Sequence, residues 1–149
     1  MVSGVRVCGL CDLGALSSGD LVRVAFRVPG QCLSGKNHVQ MTRTGRRYPL
    51  ARWVAWRDEI VRHVQAVMAA HGGPFPVTAP CRCLLIFTHA DRRRRDIPGL
   101  MDALYHVFER AGLIADDSLF VEGSQTTGVH IDPLHAGVEV LIETLSSGL

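Results

Sequence analysis

Residues 77–117, VTAPCRCLLIFTHADRRRRDIPGLMDALYHVFERAGLIADD, carry a strand, a charged loop and a helix in one run. Cys81, Cys83 and Leu85 alternate with Arg82, Leu84 and Ile86 in a stretch rich in apolar and β-branched residues, which reads as a strand. Its nearly continuous apolar character suits a central position in a sheet. Residues 91–96 then set four arginines between two aspartates and interrupt every apolar period. Pro98 suits a first helical position. Leu100, Leu104, Val107, Phe108 and Ala111 supply one apolar helix face, and Gly112 closes it. Asp116 and Asp117 follow directly.

On the amino-terminal side, residues 21–28 alternate Leu21, Arg23, Ala25 and Arg27 against Val22, Val24, Phe26 and Val28, the pattern of a half-buried strand. Pro29 and Gly30 break it, and the polar, Gly-rich stretch through Tyr48 has no period, so a long surface loop is expected. Leu50, Trp53, Val54, Ile60, Val61, Val64, Val67 and Met68 recur at helical spacing until Gly72 and Gly73. Beyond the decisive segment, residues 119–127 and 138–144 look like strands. The order strand, helix, strand, helix, strand, strand predicts an α/β (α+β) fold: one mixed β-sheet packed with two main helices. Residues 1–20 lack a sustained period and are expected to form a weakly ordered leader, leaving residues 21–149 as a single domain.

A chain of 149 residues, 47% hydrophobic and 20% charged, fits one globular domain and excludes a disordered or collagenous chain. The formal net charge is only +2, but its distribution is polar. Nine basic residues lie in residues 21–62 against Asp58 and Glu59, whereas no Lys or Arg follows Arg110. Such asymmetry suits a nucleic-acid protein or a head-to-tail assembler. The odd set Cys8, Cys11, Cys32, Cys81 and Cys83 has no secreted-scaffold spacing, and no apolar run approaches a membrane span. A cytoplasmic protein without membrane partners is expected.

Two constellations bear on chemistry. Arg92, Arg93, Arg94 and Arg95 crowd guanidinium forks into one loop, where phosphate is a natural partner and the alternative is a solvated run paired with nearby aspartates. Asp96, Asp102, Asp116 and Asp117 are hard oxygen donors of the kind Mg²⁺ requires, with Mn²⁺ as a second option. Their ordinary reading is a helix cap, a first-turn residue and turn formers. Cys8 and Cys11 lack a second ligand pair for zinc. Trp53 and Trp56 read as helix packing, with Trp56 also a candidate for stacking on a base.

The arginine run between Asp91 and Asp96, the helix ending at Ala111 and Gly112, and the pair Asp116 and Asp117 together resemble the RusA family of Holliday-junction resolvases. Val28-Pro29-Gly30-Gln31, Ser34-Gly35-Lys36-Asn37 and Gly45-Arg46-Arg47-Tyr48 are similar to that family's loop after its first strand, so the resemblance covers about residues 21–144. It implies a homodimeric, Mg²⁺-dependent endonuclease acting on branched DNA, the four-way junction. On this resemblance Asp96 and Asp117 match metal-binding aspartates, with Asp116 beside them, and Arg95 matches the basic residue before the first. Lys36, Arg46 and Arg47 join the four arginines as expected DNA contacts. The family's second Asp, its Asn and its Lys are replaced by Pro98, Gly99 and Asp102. Asp102 lies one turn from residue 98 at a rise of about 6 Å, so a displaced catalytic set of Asp96, Asp102 and Asp117 is expected. The alternative is a junction-binding relative that does not cut.

Overall fold

The computed structural model describes residues 21–34, 39–125 and 130–145. The expected leader, residues 1–20, and Lys36 lie outside these residues. The chain runs β1 (Arg23–Pro29), β2 (Val39–Met41), β3 (Arg47–Pro49), α1 (Ala51–His71), β4 (Cys81–His89), α2 (Ile97–Ala111), a 3₁₀ turn (Asp117–Leu119), β5 (Phe120–Gln125), β6 (His130–Ile131) and β7 (Gly137–Thr144). β1, β7, β4 and β5 neighbour one another in that order, and β6 also pairs with β4. The sheet is mixed: β7 is antiparallel to β1 and β4, while β5 and β6 run parallel to β4. This is an α+β fold with a central β4, as its apolar run implies.

Period-two alternation decides which face is covered. Val24, Phe26 and Val28 of β1, Cys81, Cys83, Leu85 and Phe87 of β4, and Val138, Val140 and Ile142 of β7 are buried on one side. Leu100, Leu104, Val107 and Phe108 of α2 and Ile60, Val64 and Val67 of α1 complete that core. Phe26 meets Phe108 edge to face at 5.8 Å. Each such large apolar side chain contributes about 1.5–3 kcal/mol by leaving water.

α1 also shields the sheet's outer strand. Nitrogen Nε2 of His63 sits 2.7 Å from the carbonyl oxygen of Arg27, and that of His71 sits 2.9 Å from the carbonyl oxygen of Arg23. Two turns of helix therefore satisfy acceptors that an edge strand would otherwise present to another chain.

Two details differ from the sequence expectation. The predicted loop of residues 29–48 contains a two-stranded antiparallel ribbon, β2 with β3, separate from the main sheet. A short β6 also precedes the last strand. Both consist of strands too short to display a period.

Candidate nucleic-acid interface

The arginine loop follows the carboxyl end of β4 and leads into α2. Its backbone is anchored by Gln31, just beyond β1, whose carboxyl end lies at the same edge of the sheet as that of β4. The Gln31 side-chain oxygen accepts from the Ala90 amide at 2.8 Å, and its amide nitrogen lies 3.2 Å from the Cys32 carbonyl and 3.4 Å from Nδ1 of His89. The segments that follow β1 and β4 are thus tied by one neutral side chain. His89 is buried and stacks on Phe87 at 6.1 Å. Burial and then the Arg95 charge push its pKa below 6.5, with His130 acting the same way and Asp91 opposing.

Within the loop, both readings of the arginine run hold, each for different residues. Arg95 is paired locally: it reaches Asp91 Oδ1 at 2.8 Å and donates to the carbonyls of Asp91 and Arg93. Arg93 approaches Asp91 at 3.6 Å. The Arg93 amide and these guanidinium groups hold the Asp91 carboxyl below its usual range. Arg92 and Arg94 are exposed and have no ion pair or hydrogen bond among the described residues. Asp91 and Arg95 therefore shape the loop, and Arg92 and Arg94 present its charge to solvent.

Asp96 is the residue before α2 and makes no capping hydrogen bond. It leans over Gly99, where an added Cβ would lie 2.6 Å from Asp96 Oδ2 and 2.8 Å from Ser34 Oγ. Asp102 is exposed on α2. Asp116 and Asp117 do not join them. β5 runs parallel to β4 with Phe120 opposite Cys81, so the pair sits at the start of β4, whereas Asp96 lies beyond its end. The fifteen residues of α2 put about 22 Å of helix between Asp96 and the pair. Asp116 instead turns back on the Ser118 amide at 2.8 Å, the turn-forming role. Among the described residues no three His, Cys, Asp or Glu side chains are grouped to hold a metal ion. Within one chain, Asp96 therefore does not share a metal ion with Asp116 and Asp117.

Arg46 and Arg47 stand exposed on the ribbon, with Arg43 at its tip. Trp56, the sequence candidate for stacking on a base, is instead half-buried against the core and lies on Trp53 at 5.2 Å. The sequence singled out Gln31 only within the motif Val28-Pro29-Gly30-Gln31 and gave it no role, since one glutamine in a loop does not show which backbone amide it will meet. Burial raises the pKa of Cys32 and Cys83 to about 12 and of Cys81 to about 11, which keeps these thiols protonated at neutral pH.

The arrangement defines an α+β domain with an exposed guanidinium loop beside a helix start. No family model matches this sequence. The chain is 32% identical over 78 residues to the crossover junction endodeoxyribonuclease RusA of Escherichia coli strain K12, covering 52% of this chain and 62% of that protein. The protein of the same name from Shigella sonnei gives the same figures. The aligned part thus spans less than two thirds of these curated relatives. No helix among the described residues is long and apolar enough to cross a membrane.

Proposed function

We infer that the chain is a RusA-like protein that binds four-way DNA junctions and cuts them as a homodimer in the cytoplasm. The observation that carries this reading is the loop of residues 91–96, whose Arg92 and Arg94 have no protein partner among the described residues while Arg95 and Asp91 brace them. Phosphate contacts of this kind orient a nucleic acid without reading its bases. Lys36, Arg46 and Arg47 are the proposed further contacts. The likeness to the endonucleases RusA supports the branched substrate.

Dimerisation is part of the proposal because a single chain keeps Asp96 far from Asp116 and Asp117. A second copy is the simplest source of a complete carboxylate set. A non-cutting, junction-binding protein is the second reading. It is favoured by the lack, among the described residues, of any three His, Cys, Asp or Glu side chains grouped to hold a metal ion.

The test is incubation of the purified protein with a labelled four-way junction and with a linear duplex, in Mg²⁺, in Mn²⁺ or in EDTA. Salt-sensitive, junction-selective binding with metal-dependent nicking is expected, and Asp117→Asn is expected to abolish the nicking alone. Selective binding without nicking in either metal would establish the second reading. Absence of junction preference would overturn both.

A further inference from the structure

The β2–β3 ribbon is a sheet of its own, separate from the main one. Residues 41–48 are exposed throughout, on both faces of the ribbon. The register Met41↔Arg47 and Gln40↔Tyr48 puts Met41 and Tyr48 on opposite faces, and they are 64% and 43% exposed. Side chains this exposed have no packing reason to be a methionine and a tyrosine.

Its charge is one-sided. Arg43, Arg46 and Arg47 lie in it, Arg52 follows on α1, and no acidic residue occurs in residues 21–57. The ribbon is nevertheless well formed. The Thr42 amide donates to the Arg46 carbonyl at 2.8 Å and the Gly45 amide to the Thr42 carbonyl at 3.0 Å. Thr42 Oγ1 accepts from the Arg46 amide at 3.0 Å and contacts Thr44 Oγ1 at 3.0 Å. Gly45 takes φ +82, a turn conformation that costs a side-chain-bearing residue energy.

We propose that this ribbon is a wedge for the branch point of DNA, with Tyr48 stacking on a base exposed where the arms part and Arg43, Arg46 and Arg47 holding the adjoining phosphates. The proposal rests on the branched-DNA reading above and adds to it the element that distinguishes a branch from a continuous duplex. Charge selects the polyanion, and the aromatic ring selects an unstacked base, because base–aromatic stacking is unavailable where bases are already stacked. A narrow two-stranded ribbon whose residues 41–48 are all exposed fits between diverging arms.

The experiment uses the full chain, a four-way junction with the fluorescent base 2-aminopurine beside the crossover, and a linear duplex of matching sequence. Tyr48→Ala is expected to weaken junction binding about tenfold, leave duplex binding within about twofold, and remove the fluorescence change on binding. Tyr48→Phe is expected to restore all three readouts. Equal affinity and an unaltered fluorescence change for Tyr48→Ala would overturn the wedge, and the branched-DNA reading would survive if Arg92→Ala still weakened binding. Equal loss on junction and duplex would also overturn it, leaving a general contact. A wild-type protein that binds neither DNA would overturn the functional reading itself.

Discussion

Gly99 shows how one missing methyl group organises the start of α2. A side chain there would press into the Asp96 carboxylate and the Ser34 hydroxyl at once, although alanine is otherwise the better helix former. Gly99→Ala is expected to lower stability by about 1–3 kcal/mol despite its propensity gain, read from urea unfolding midpoints. Gln31 acts at the same scale. Gln31→Ala leaves the Ala90 amide without its acceptor, and hydrogen exchange at that amide is expected to accelerate by about tenfold or more. His89 supplies a pH readout. Its folded pKa is depressed, so it stabilises the fold above about pH 6.5 and that contribution is lost as acid drives it to protonate below this value. An NMR titration of the ring is expected to find its midpoint under 6.5.

At the scale of elements, α2 holds the sheet through side chains with no exposure. Leu104→Ala is expected to cost about 2–5 kcal/mol, measured in the same unfolding assay. The helices and strands β1, β4 and β7 were legible in the sequence because each has one buried face. Alternation in residues 21–28 and the spacing of Leu100, Leu104, Val107 and Phe108 record that burial. β2 and β3 were not legible, since three-residue strands with wet faces leave no alternation to read. The loop arginines were legible as charge. Their division into braced Arg95 and presented Arg92 and Arg94 depends on the position of Asp91, which only the folded loop reveals. The separation of Asp96 from Asp117 was equally hidden: spacing along a chain does not say whether the next strand returns parallel or antiparallel.

For the whole molecule, the three thiols in the core set an alkaline limit. In the unfolded chain they ionise near 9.0, while the folded ones hold their protons to about 11 or 12. Between those values unfolding releases protons, so stability is expected to fall steadily as pH rises above about 9. Thermal melts in a buffer series would show it, and a Cys83→Ala variant would show a shallower decline. The first and last of the described residues add another consequence. The Val22 amide donates to Thr144 Oγ1 at 2.9 Å, the Thr144 amide returns a bond to the Val22 carbonyl at 2.9 Å, and the Leu145 amide reaches the Pro80 carbonyl at 2.9 Å. Residues 21 and 145 are therefore neighbours, and the order in which the chain visits its strands is separable from their arrangement. A circular permutant of residues 21–145, joined across this clasp and opened at Gly45, is expected to keep every partner of the main sheet and to sever only the ribbon.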